Sequence, residues 1–541
     1  MEAGKIKILL LVVRNRRSYR LFEEIGVCCL AAYLRQFGHE VKLMEEYEDS
    51  MDFSAIQSFA PRLIGMPVYA LTEQSVYRVC RELKQRIPDV SLCLGGYSPT
   101  ARGDRMMKLS PDIDFIIRGE GERPLKELAD RLAVGQSPAG VRGLTWRRGD
   151  QIESATGPEQ IRDIGELPWP ARDFLREKGY DMALVMTSRG CNRNCSFCVT
   201  KQIWKRWRSR DLRDAVDEIE HLAATYGIRS FFFIDCSYED PNPADGRIRR
   251  LAEEILHRRL GITYSAYFRS DFHRMADPSL MDLLGKSGLI SALIGVESAN
   301  PHGLRVYNKR STPEDNRKVI ELFRSWGINV DIGFIMFNPY ATFAGMRQDV
   351  DFLEEYGFAF DMTTIATQYA MSMGCALDRR ILRDGLLLDE DDPYGYRFAD
   401  ERLGMLAGYI REFNDRLRPD IRIPLLRVQQ GIINLAYWRR MFSGDRRAHD
   451  AILAAERDCC EIREALNHHT ARWFRTLLDL AETSWEVRKA DRIREESLSD
   501  RFILDAHRQL ERHKEVLQSR LQQFGYTIRK MGSSGSSGTD S

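Results

Sequence analysis

Cys191, Cys195 and Cys198 fall within the short stretch TSRGCNRNCSFCVT, in a chain whose other cysteines are scattered. Three thiolates can hold a four-iron cluster and leave one iron without a protein ligand, whereas four would close the cluster for plain electron transfer. An open iron can bind a substrate. The same thiols could instead belong to a zinc site completed from elsewhere, or be structural. Eleven cysteines without regular spacing do not suit a disulfide framework and fit a reducing, cytoplasmic compartment.

The elements that must position this loop read as strands alternating with helices. KIKILLLVV, RLIGMPV, VSLCLGG and DIDFIIRGEGE carry buried strands, and IGVCCLAAYLRQFGHEV and SVYRVCRELKQRI carry helices, the first running into a further strand. Continuous apolar strands separated by helices predict a doubly wound parallel sheet, with ligands outside the carboxyl ends of its strands. The glycine-bearing turns LGGYSPT and RGEGE fall at such ends. GLTWRRGDQIES and IGELPWPARDF predict a small hairpin and a Pro-rich connection. From ALVMTSRG the rhythm resumes through RSFFFIDCS, TYSAYFRSD, ISALIGVES and NVDIGFIMF, which predicts an α/β barrel or part of one. The first of these strands runs straight into the three cysteines.

The expected organisation is α/β throughout the first two domains. A Rossmann-like domain spans 1–140, a hairpin and linker 141–182, the barrel 183–375, a helical C-terminal domain 376–530 and a flexible Gly/Ser tail 531–541. The 541 residues, 43% hydrophobic and 29% charged with a formal net charge of +1, leave no global field to recruit nucleic acid or membrane. The apolar run Ile8 to Val13 is too short for a signal-peptide core or a spanning helix.

The spacing Cys191-x3-Cys195-x2-Cys198, with Phe197 before the last cysteine and TSRG before the first, resembles the cluster loop of the radical S-adenosylmethionine superfamily. The resemblance implies that Cys191, Cys195 and Cys198 hold a 4Fe-4S cluster. Its open iron would chelate S-adenosylmethionine, which one electron cleaves to a 5'-deoxyadenosyl radical. Asp235, Cys236 and Ser237 stand where relatives receive the methionine amine, and Arg269, Glu297, Ser298 and Lys309 fit recurrent positions around the methionine and ribose. FIMFNPYAT keeps Pro339 and Thr342 of a turn common in relatives but carries Tyr340 and Ala341 within it.

A doubly wound domain ahead of such a barrel resembles the cobalamin-binding class, often methyltransferases. In this likeness Gly95 and Gly96 let backbone approach a large ligand, and Thr72, Glu120, Gly121 and Glu122 lie in the other strand-end loops. No histidine occurs between His39 and His221, so the domain offers none for the lower face of cobalamin. Met66 and Pro67 depart from the small or hydroxyl residues common after that strand.

The resemblance implies two uses of S-adenosylmethionine. One molecule methylates cob(I)alamin and another supplies the radical, after which a carbon radical of the substrate takes methyl from methylcobalamin. Cofactors carry that chemistry, and no protein general base is named. The expected function is C-methylation of a small-molecule or specialised-metabolite substrate, with a reductant such as flavodoxin or ferredoxin. A rearrangement, cyclisation or elimination on the same scaffold is the alternative, and a non-catalytic iron–sulfur or zinc protein a second. Trp438, Trp473 and Trp485 fit a helical core better than a substrate lid, and Cys375 in SMGCALD could approach the site.

Overall fold

The computed structural model describes residues 4–15, 22–239, 241–242, 246–360, 362–416, 435, 439, 442, 444–497 and 500–523. Trp438, most of QQGIINLAYWRRMF and the Gly/Ser tail lie outside the described residues. The described chain forms two compact units. One comprises the residues up to Leu260 with Ala370–Arg380 and Glu390–Pro393, and the other Gly261–Tyr369, Ile381–Asp389 and the residues from Tyr394 onward.

In the first unit β1 (Lys7–Arg14) pairs in parallel with β2 (Glu40–Tyr47) on one side and β3 (Leu63–Pro67) on the other. β4 (Ser91–Gly95) and β5 (Phe115–Ile117) continue the parallel sheet. The order β2-β1-β3-β4-β5 reverses direction between β1 and β3, the kind of switch point where open α/β sheets bind ligands. β1 shows why its apolar run is continuous. Ile8, Leu10 and Val12 pack under α1 (Ile25–Gln36), whereas Leu9, Leu11 and Val13 pack on the opposite face, where α2 (Phe53–Phe59), α3 (Glu73–Arg86) and α4 (Tyr97–Leu109) contribute. α5 (Glu122–Ala133) joins α1 on the first face. Each such aliphatic side chain contributes about 1.5–3 kcal/mol on burial.

The predicted hairpin, β6 (Leu144–Arg148) and β7 (Gln151–Ser154), is not a free connection. β6 pairs antiparallel with β5, so the hairpin forms the edge of the N-terminal sheet. Beyond it the connection is anchored by a buried ion cluster ahead of α6 (Asp173–Lys178). Arg172 donates to Glu23 of the N-terminal domain and, at 2.6 Å, to Glu218. The Leu184 amide also donates to Glu23, at 3.2 Å.

That anchor sets β8 (Met182–Val185), which pairs in parallel with β11 (Ser230–Phe233). Between them β9 (Ser188–Arg189) and β10 (Arg208–Ser209) close a two-stranded antiparallel hairpin around the cysteine loop and α7 (Thr200–Ile203), followed by α8 (Leu212–Tyr226).

In the second unit β12 (Thr263–Arg269), β13 (Leu289–Glu297) and β14 (Asn329–Phe334) are parallel, with helices Pro278–Ser287, Pro313–Ser325 and Phe343–Glu355 between and after them. Local chemistry starts each helix. Asp277 and Thr342 cap two of them, and Thr312 with Asp315 makes a capping box ahead of Pro313. The C-terminal helices include Glu401–Arg416, a 38-residue helix Arg446–Thr483 and Asp500–Gln523. Trp473 is fully buried, its ring 5.6 Å from that of Phe413, and so belongs to this helical core. None of the described helices is long and apolar enough to cross a membrane.

Candidate functional site

The cysteine loop begins at a forced turn. Gly190 has φ +88°, and a Cβ there would lie 2.4 Å from the Arg206 carbonyl oxygen, so only glycine lets the strands of the hairpin close. Cys191, Cys195 and Cys198 are not disulfide-bonded and are partly exposed, unlike the buried Cys28, Cys80 and Cys93. The Cys198 amide donates to the Cys195 carbonyl at 3.2 Å, and the Arg193 amide donates to the Cys191 sulfur at 3.4 Å. Among the described residues no three His, Cys, Asp or Glu side chains gather as ligands of a single metal ion. A four-iron cluster spreads its thiolates over separate irons, and three accessible soft donors on one short loop fit that arrangement.

The predicted residues after β11 divide. Asp235 is fully buried and accepts from the Thr187 hydroxyl at 2.9 Å and from the Ser188 hydroxyl, while Arg247 donates to Thr187 at 2.7 Å. Burial pushes the Asp235 carboxyl up, and Arg247 opposes this. Its bonds tie the end of β11 to the residues that lead into the cysteines. Cys236 instead faces the loop: the Thr200 hydroxyl lies 3.2 Å from the Cys198 sulfur and 3.9 Å from the Cys236 sulfur. Burial pushes the Cys236 thiol up to about 12. Ser237 is buried beside them.

At the strand ends of the N-terminal sheet, Gly96 has φ +102° and heads α4 with no side chain in the way. A Cβ there would lie 3.3 Å from the Val68 carbonyl oxygen, and Gly95 likewise presents bare backbone. The Thr100 hydroxyl donates to the Gly96 carbonyl at 2.6 Å and accepts from the Gly119 amide at 3.0 Å, which binds the two glycine turns together. This bare cradle, rimmed by Tyr69 and Tyr97, fits a large flat ligand such as a corrin.

The other residues expected here are spent inside the protein. The Thr72 hydroxyl bonds the backbone of Tyr69. Glu120 receives Arg189 at 3.0 Å and Arg208 at 2.9 Å, and Glu122 receives Arg189 at 2.6 Å. Burial alone would raise the Glu122 carboxyl, but Arg189 outweighs it and holds it below its ordinary value. A ligand contact from Thr72, Glu120 or Glu122 would have to break these bonds, and Gly121 packs against Leu30, where a Cβ would lie 3.0 Å from its side chain.

Sequence reasoning missed Trp204 and the two arginines. The Trp204 ring, in the cysteine loop, meets that of Tyr97 edge to face with centroids 6.4 Å apart. Cys375 is both buried and beside the loop, its thiol donating to the Phe197 carbonyl at 3.2 Å.

In the second unit Glu297 ends β13 in a left-handed conformation, φ +66°, which costs a non-glycine residue about 1–2 kcal/mol. Such strain concentrates at functional positions. Lys309 sits 3.9 Å from Glu297 and donates to the Gly295 carbonyl at 2.7 Å. Burial raises the Glu297 carboxyl, with Lys309 opposing. Arg269 bonds Asp271 at 3.0 Å. Ser298 turns away into a buried group with Asp349 at 3.1 Å and Asn300 at 3.0 Å. Tyr340 donates to Asp384 at 2.9 Å.

Comparison with known proteins agrees with this layout. Residues 12–129 match the B12 binding domain and residues 185–353 the Radical SAM superfamily. The chain therefore carries a B12 binding domain followed by a radical SAM domain.

It is 27% identical over 355 residues to an uncharacterized methyltransferase of Pyrococcus horikoshii, covering 64% of this chain and 76% of that protein. It is also 27% identical over 315 residues to the anaerobic magnesium-protoporphyrin IX monomethyl ester cyclase of Synechocystis, covering 56% of this chain and 62% of the cyclase, less than two thirds of its length. The solved structure of the cobalamin-dependent S-adenosylmethionine radical enzyme OxsB, with aqua-cobalamin and S-adenosylmethionine bound, matches with a TM-score of 0.67 and 17% identity over 97% of this chain and 82% of that one. The cofactors of this enzyme class are a 4Fe-4S cluster, S-adenosylmethionine and cobalamin.

Proposed function

We propose that this enzyme methylates an unactivated carbon of a small-molecule substrate. The observation that supports the reading is the ring contact between Trp204 of the cysteine loop and Tyr97 of the glycine turn, which sets side by side, within one compact unit, the two segments that would hold the cluster and the corrin. Methyl transfer to a substrate radical needs the two sources of chemistry side by side.

When bound, the cluster supplies the electron that cleaves S-adenosylmethionine, and cobalamin supplies the methyl-carrying cobalt. Cys191, Cys195 and Cys198 would hold the irons. Thr187, Ser188 and Asp235 would fix the strand that presents them. Cys236 would face the methionine end of S-adenosylmethionine. Gly95 and Gly96 would admit the corrin by leaving the strand ends bare. The aromatic rim of Tyr69, Tyr97 and Trp204 would exclude water from the radical.

The test is anaerobic reconstitution with iron, sulfide and cobalamin, followed by turnover with a chemical or flavodoxin-type reductant. Methylation predicts S-adenosylhomocysteine and 5'-deoxyadenosine in comparable amounts when substrate is present. The cyclase relative favours a second reading, a radical ring closure, which predicts 5'-deoxyadenosine without S-adenosylhomocysteine. Failure to form 5'-deoxyadenosine under any reducing condition would contradict both.

A further inference from the structure

Arg189 and Arg208 are direct cross-strand partners in the β9–β10 hairpin, whose strands are only two residues each. Such a hairpin has too few backbone bonds to persist alone, and like charges facing each other across an antiparallel pair push it open. Both guanidinium groups are also nearly excluded from water, with side-chain exposures of 5% and 11%.

The opposing charge comes from one turn of the N-terminal sheet. A single Glu120 oxygen accepts from Arg189 at 3.0 Å and from Arg208 at 3.2 Å, so one carboxylate spans both strands. Its second oxygen takes Arg208 at 2.9 Å and the Ile161 amide at 2.8 Å. Glu122 completes a balanced set of two cations and two carboxylates by receiving Arg189 at 2.6 Å. The cluster's net worth to stability is small, since desolvation offsets attraction; its geometric demand is strict, because removing one charge strands another.

We propose that Arg189 and Arg208 make closure of the cysteine loop conditional on docking of the Glu120–Glu122 turn, so that the loop is shaped to hold a cluster only at a fixed distance from what the N-terminal sheet binds. The two arginines are positioning residues. They act on the iron site through the hairpin and on the corrin site through the turn that Gly119 shares with Thr100. The distance half of the proposal rests on cobalamin binding at the glycine cradle, whereas the conditional closure does not.

The experiment is amide hydrogen exchange on the anaerobically purified full chain, comparing wild type with Glu122→Gln, Arg189→Met and Arg189→Lys. Exchange in 118–123 and 188–209 is expected to rise together, by at least about tenfold, in Glu122→Gln and Arg189→Met, with Arg189→Lys restoring part of the protection. Helix α8 should exchange as in wild type. A rise confined to one segment, or none in either, overturns the proposal, and Glu122→Gln gives the answer if Arg189→Met does not fold. A second readout separates positioning from general loosening. In preparations matched for iron and corrin, the magnetic coupling between cob(II)alamin and the reduced cluster should weaken in Arg189→Met and recover in Arg189→Lys. Unchanged coupling overturns the distance half, and wild type without a corrin spectrum instead contradicts the functional reading while exchange still tests the clamp.

Discussion

The carboxylate of Asp235 accepts the Thr187 hydroxyl at 2.9 Å in a fully buried position that joins the ends of β8 and β11. An acid at a strand end ahead of a cofactor loop reads from sequence as a ligand contact; here it works one step back, on the strand that delivers the cysteines. Asp235→Asn keeps one oxygen for the two hydroxyls but turns the other, which accepts from the Thr187 amide at 3.4 Å, into a donor, and should cost about 2–4 kcal/mol. Thermal unfolding checks the cost, and iron content after reconstitution should fall with it. Wild-type iron content at wild-type stability would refute the positioning role.

Gly96→Ala meets two obstacles at once, a backbone at φ +102° and a carbonyl 3.3 Å from the new methyl. The expected cost is about 1–2 kcal/mol. Corrin retention on gel filtration should drop sharply while iron content stays near wild type. Equal loss of both would mean that the turn serves folding alone.

Lys309 neutralises Glu297 in a strained, partly buried corner. Lys309→Met should weaken S-adenosylmethionine binding roughly tenfold, read by equilibrium dialysis, and leave cluster content untouched. Unchanged affinity would show that this pair does not bind S-adenosylmethionine.

Asp349 is fully buried, and burial pushes its carboxyl from 3.8 to about 7 despite bonds from the Ala299 amide, Ser298 and Asn300. A folded value above the ordinary one gives stability that is complete below 3.8 and lost as pH rises through about 7. Melting temperature should therefore fall between about pH 4 and pH 7, by the equivalent of a few kcal/mol at most, and Asp349→Asn should flatten that fall. An equally steep fall in the variant would assign it to other groups.

What the sequence revealed followed from local signals. The alternation of β1 between two helical faces, the glycines at strand ends and the cysteine spacing are periodic or contiguous, and each lies where expected. What it hid was non-local. Glu120 and Arg189 are 69 residues apart, and nothing in GEGE or TSRG announces that one neutralises the other. The edge position of the β6–β7 hairpin is set by pairing with β5, which a turn signal does not specify. Helix α4 escaped notice because Pro99 and Gly103 break its pattern and it kinks at Arg102, where the guanidinium reaches Glu73 and Asp391. Thr72, Glu120 and Glu122 read as ligand contacts because polarity at a strand end looks the same whether it faces a ligand or another loop.

The most direct measurement is the iron and corrin content of anaerobically purified protein, by absorption spectrum and mass, for wild type and for the Cys191→Ala/Cys195→Ala/Cys198→Ala variant. The account predicts iron and corrin together in wild type, and corrin without iron in the variant. Iron retained without the three cysteines, or wild type with iron and no corrin, would contradict it.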